Sequence, residues 1–100
     1  MSLHLDAAEC EAIAATIWRQ ISVGTKMACG AREALAINRG LLFTVGRAMT
    51  RVRVLLTPAD LYEVSLIKLK RGTGEARIVE ARDDVYAEDL SETIYHMVNK

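Results

Sequence analysis

The sequence predicts an α+β fold: an antiparallel β-meander of four or five strands with an N-terminal and a C-terminal helix packed on one face. Three observations predict it. The stretch from Arg51 to Lys70 alternates side chains about a Pro58-Ala59-Asp60 turn signal, as a β-hairpin does. Near the N-terminus Cys10, Ile13, Ala14, Ile17, Trp18 and Ile21 recur at three- and four-residue spacing, the mark of an amphipathic helix, and Tyr86, Leu90, Ile94, Met97 and Val98 do so near the C-terminus. A chain of 100 residues, with 51% hydrophobic and 26% charged residues, is long enough for one domain over residues 1–100 and too apolar for a disordered chain.

Taken in order, Asp6 and Glu9 have the spacing of a capping box, and Leu5 and Cys10 are placed as its hydrophobic staple, so a helix is expected to begin there. Gly24 is expected to end it. Thr25 to Cys29 is a candidate short strand, closed by Gly30. Two apolar runs follow, Ala34 to Ile37 and Leu41 to Val45, and Asn38, Arg39 and Gly40 between them fit a three-residue hairpin loop with glycine in the left-handed position. Gly46 permits the next reversal. In the Arg51–Lys70 hairpin, the period of two puts Val52, Val54 and Leu56 on one face with Tyr62, Val64 and Leu66. Arg51, Arg53 and Thr57 share the other face with Leu61, Glu63 and Ser65. After the turn Arg71–Glu75, the residues Arg77 to Ala81 form a charged last strand suited to a sheet edge. The second helix is expected to start near Asp83 to Tyr86 and run towards Asn99, with Glu88, Asp89 and Glu92 complementing its dipole.

Zero net charge hides an asymmetry. Residues 1–25 carry one Arg against three acids, residues 26–82 carry eleven Lys or Arg against five acids, and residues 83–100 carry one Lys against five acids. A sheet built from the middle and covered by the ends has basic and acidic surfaces. No apolar run approaches the ~20 residues that cross a bilayer, and Met1 to Leu5 lack the pattern of a signal peptide, so a cytoplasmic protein is expected. Cys10 and Cys29 suit a reducing compartment as small apolar side chains.

Catalytic and metal chemistry find no spacing to support them, and no cofactor is expected. Cys10, Cys29, His4 and His96 are scattered over the chain. His96 reads as a dipole-compatible residue near a helix C-terminus, and the neighbouring acids Asp83/Asp84 and Glu88/Asp89 read as capping and solubility residues. Gly72, Thr73 and Gly74 make a short turn and no phosphate-loop pattern. Two binding readings remain. Arg47, Arg51, Arg53, Lys68, Lys70, Arg71, Arg77 and Arg82 could gather on the open face and rim of the sheet and contact nucleic-acid phosphates. Against this, Phe43 and Tyr62 fall at core positions, which leaves the sheet without stacking aromatics. A protein partner is the stronger expectation, because Leu55, Ile67 and Leu69 lie opposite the core face and stay uncovered unless another chain covers them. That partner is a second copy, forming a homodimer, or a host protein, and the expected partner-binding residues are Arg47, Arg51, Arg53, Leu55, Ile67, Leu69, Lys70 and Arg71.

A string of short similarities adds to this reading. Gln20, Ile21 and Gly24, then Lys26, Met27, Gly30, Ala31 and Arg32, then Gly40, Leu41 and Phe43, then Val52, Val54 and Leu56, then Asp60, Leu61, Tyr62 and Val64, and finally Val85, Tyr86, Ala87 and Leu90 resemble a family of small proteins encoded by phages, prophages and conjugative elements. That family typically shows a QLGG.RF.AMTGAK stretch, a GL.F strand, a DLYDV strand and a VYAD.L helix start. The resemblance spans roughly Ile17 to Ile94 and implies a mobile-element origin with no known enzymatic activity. The chain departs from the pattern at Ala28 and Cys29, where the family often has Met and Thr, which weakens any reading of the Gly30 region as a fixed functional loop. It also ends at Lys100 without the usual Thr-Gly-Leu tail. The expectation is a non-catalytic accessory protein that binds a macromolecular partner, by analogy an inhibitor of a host defence system such as CRISPR interference. The alternative is a nucleic-acid-binding accessory protein that uses the basic face of the sheet.

Overall fold

A computed structural model describes residues 7–46 and 49–99. The expected capping box, with Leu5 and Asp6, lies outside them in part, as do His4 and Arg47. The described elements are α1 (Ala7–Gln20), α2 (Val23–Cys29), β1 (Arg32–Ile37), β2 (Gly40–Thr44), β3 (Thr50–Leu56), β4 (Tyr62–Leu69), β5 (Ala76–Val85) and α3 (Leu90–Val98), which a single 3₁₀ turn at Ala87–Asp89 introduces. The five strands form one antiparallel meander in the order β1-β2-β3-β4-β5.

The register decides which side chains share a face. Val52 lies opposite both Phe43 and Leu66, Val54 opposite both Leu41 and Val64, and Leu56 opposite Tyr62. All but Leu56 are buried, and they join Ala14 and Ile17 of α1, Ile21, Cys29 of α2, and Leu90, Ile94 and Met97 of α3 in one core. The helices therefore cover a single face, as the alternation predicts. Each fully buried Ile, Leu, Val or Phe side chain here contributes roughly 1.5–3 kcal/mol relative to an exposed one. Trp18 packs edge-on against Phe43, with ring centroids 5.5 Å apart, and the Lys26 ammonium lies 4.4 Å above the Trp18 ring.

The segment after Ile21 corrects one expectation. Gly24 does not end the first helix, and Thr25–Cys29 is not a strand: α1 stops at Gln20 and a second helix follows. The reason is local. Ser22 sits in extended backbone and its hydroxyl accepts the Thr25 N–H at 3.1 Å, an N-cap. Gly30, at φ 64°, closes the far end, with the Ala31 N–H bonded to the Lys26 carbonyl at 2.8 Å, the long bond of a glycine C-cap. Ser91 of α3 pins the break, accepting the Ser22 N–H at 2.8 Å and donating to the Gln20 carbonyl at 3.3 Å.

Two further boundaries differ. Arg39, at φ 59°, takes the left-handed position of the β1–β2 turn, while Gly40 already belongs to β2. Gly40 is needed for close approach: a Cβ there would run into the Val54 carbonyl and come within 2.9 Å of Leu55 Cδ2. The last strand reaches Val85, so Asp83 and Asp84 are strand residues and not the start of a helix. Asp84, at φ 54°, forms a bulge that returns Val85 to the core opposite Tyr62. Tyr86 is 56% exposed, outside the inner stripe that Leu90, Ile94 and Met97 form.

Candidate functional site

The face of the sheet away from the helices is the candidate site. Three cross-strand rows make it up. The central row runs Leu35, Leu42, Arg53, Ser65 and Ala81; one neighbour runs Ile37, Gly40, Leu55 and Glu63; the other runs Thr44, Arg51, Ile67 and Ile78. Arg53 and Ser65 thus stand at the middle of the face, facing each other across β3 and β4.

Two buried hydroxyls on this face have opposite fates. Thr44 donates to a Glu33 carboxylate oxygen at 2.9 Å, because the bulge at Glu33, with φ 56°, brings that carboxylate over the strand end. Ser65 is 0% exposed, and its Oγ has no hydrogen-bond partner among the described residues. The Nε of Arg53 is in the same condition. A buried polar atom without a partner costs roughly 1–3 kcal/mol, so native structures keep few of them. Here two stand side by side.

The most exposed apolar residues of the face stand on its two edges. Leu35 on β1 is 59% exposed and Ile78 on β5 is 52% exposed. Of the expected partner-binding residues, Arg51, Arg53 and Leu55 lie on β3 and Ile67 and Leu69 on β4, all on this face; Arg47 is outside the described residues. One correction is needed: Ile67 is only 8% exposed, so the chain already shields it. Lys70 and Arg71 do not join this group. They sit in the β4–β5 turn, and the basic residues divide accordingly: Lys68, Lys70, Arg71 and Arg77 collect at that turn. Arg82 instead pairs with Glu80 at 2.9 Å and lines a groove of about 490 Å³ with Asp83, Asp89, Glu92 and His96 between β5 and α3. The sequence reading placed Ser65 on the face of Arg53 but not as its cross-strand partner, and it did not place Leu35, Leu42 and Ile78 on that face; the pairing register, which the turns fix, is the signal that joins them.

Among the described residues two titratable groups are shifted, and both face the core. Burial pushes the Cys29 thiol up, opposed by the Asn99 amide 3.6 Å away. The Tyr62 phenol is also raised, chiefly by burial, with its 2.6 Å bond to Gln20 opposing and Asp60 adding to the rise. Neither lies on the open face. Among the described residues no group of three or more His, Cys, Asp and Glu could hold a metal ion, and no helix is long and apolar enough to cross a membrane. No protein-family profile, curated protein or solved structure matches this chain.

Proposed function

We propose that the chain is a non-catalytic accessory protein that docks a protein partner on the open face of its sheet. One observation carries the reading: the face that the helices leave uncovered holds exposed Leu35 and Ile78 around Arg53 and Ser65, whose buried Nε and Oγ lack hydrogen-bond partners among the described residues. Apolar edges around a partly dehydrated guanidinium resemble the buried centre of a protein interface, where Arg is enriched and surrounding contacts exclude water. The family resemblance sets the context, a mobile genetic element, and with it the target class, host defence machinery such as CRISPR interference. A second copy of the chain is the other partner that this face suits.

Affinity capture from host lysate, run beside sedimentation of the purified protein, tests the proposal. Leu35→Asp and Ile78→Asp place charges at exposed positions and leave the core intact. Both should abolish retention of the captured protein, or of the dimer. Retention unchanged by both substitutions would refute docking on this face.

A further inference from the structure

We infer that the turn end of the β4–β5 hairpin is a contact for the phosphate backbone of double-stranded nucleic acid, separate from the open-face site. Lys68 and Arg77 are direct cross-strand partners, and Lys70 and Arg71 follow in the turn; all four are solvent-exposed. Among the described residues none of the four forms an ion pair. Like charges directly opposite each other weaken a sheet. Protection of an edge explains Arg77 on β5, but not Lys68, because β4 is paired on both sides. Lys68, Lys70 and Arg77, with Leu69 and Ala76, line a concavity of about 680 Å³ in which Glu75 is the one acidic residue, and Arg71 follows Lys70 in the turn outside this lining.

The turn itself suits a close-fitting anion. Gly72 and Gly74 hold φ 92° and 72°, and nothing lies within 4 Å of where a Cβ would stand, so no side chain there keeps a phosphate from the cations, while the Gly74 N–H itself is held by the Lys70 carbonyl at 2.9 Å. The other end of the same strand carries Asp83 and Asp84 and leads to Glu88, Asp89 and Glu92. This polarity turns the hairpin tip towards a polyanion and its acidic end away. The class of polyanion follows from what the turn lacks. Residues 70–75 include no aromatic side chain on which unpaired bases could stack. They also include no large apolar side chain that could enter a lipid interface. Cations alone recognise a duplex backbone without reading its sequence.

Fluorescence anisotropy with a labelled random-sequence DNA duplex tests the inference. Three or four phosphate contacts give a slope of log affinity against log salt of about −2.7 to −3.6, a loss of roughly 40- to 150-fold between about 50 and 200 mM salt. Neutralising Lys68 and Arg77 together, as Lys68→Gln with Arg77→Gln, should reduce the slope by about two. Arg19→Gln on α1 removes a charge elsewhere and should change neither affinity nor slope. No binding at about 50 mM salt, or a slope unaltered by the double substitution, overturns the inference. So does equal or tighter binding to phosphatidylserine vesicles.

Discussion

Ser65→Ala should make the protein more stable, although it removes a fully buried polar side chain. The hydroxyl has no partner among the described residues, so folding strips it of water without return, at a cost of about 1–3 kcal/mol. Alanine keeps the Cβ and loses only one oxygen, whose few dispersion contacts at ~0.1–0.2 kcal/mol each come to roughly 0.5 kcal/mol. The expected net gain is about 1 kcal/mol, which for a domain of this size raises Tm by about 4–8 °C. Thr44→Val is the control, on the same face and equally buried, but its hydroxyl donates to Glu33 at 2.9 Å. Losing a bond to a charged acceptor should cost about 1.5–3 kcal/mol. Urea titrations with a constant slope measure both. If Ser65→Ala loses more than about 0.5 kcal/mol, the hydroxyl is satisfied in solution and the polar deficit at the centre of the open face does not exist.

The remaining predictions concern backbone, pH and charge. Gly24→Ala should stabilise by about 0.5–1 kcal/mol, since Gly24 lies inside α2 with open space at its Cβ. Gly40→Ala should destabilise by about 3 kcal/mol or more, because the added methyl meets the Val54 carbonyl in a central strand; denaturant midpoints of the pair should move in opposite directions. The raised Tyr62 phenol stays neutral in the folded chain after its unfolded counterpart, near pH 10, has ionised. Its contribution is therefore complete below about pH 10 and is lost as pH rises through the folded value, so Tyr62→Phe should flatten the alkaline limb of a stability-against-pH curve. The same substitution should cost about 1 kcal/mol at neutral pH through the lost bond to Gln20. Arg77→Glu should raise stability by up to about 1 kcal/mol by setting a carboxylate opposite Lys68, while duplex binding falls; thermal melting and anisotropy read the two effects separately.

The parts of the fold legible in the sequence are those ruled by alternation and periodicity. The β3–β4 hairpin, the core stripe of α1 and the placing of Phe43 and Tyr62 in the core all follow from side-chain period alone. Where single residues decide, the reading fails. Gly24 looks like a helix stop, yet Ser22 two residues earlier caps a new helix, and the glycine that ends it is Gly30. Asp83 and Asp84 look like a helix start, yet bulges lengthen β5 beyond its apolar residues, and a strand extended by ladder bonds to its neighbour leaves little compositional trace. The candidate site was half legible for the same reason. Parity assigns Arg53 and Leu55 to the open face, but the encounter of Arg53 with Ser65 and the burial of Ile67 depend on register and on neighbouring side chains.

The bulges on the outermost strands have a further effect. Glu33 on β1 and Asp84 on β5 each force a left-handed backbone step into a border of the sheet, and β5 is interrupted again beside Val79. A foreign strand seeking main-chain hydrogen bonds finds no long regular border to copy: on β1 only Leu35–Ile37 remain in even register. Growth by strand addition, the route to filaments and to recruitment of extended peptides, is thereby closed off. Contact with other molecules is left to surfaces rather than seams, which favours complexes of fixed stoichiometry over open-ended polymers.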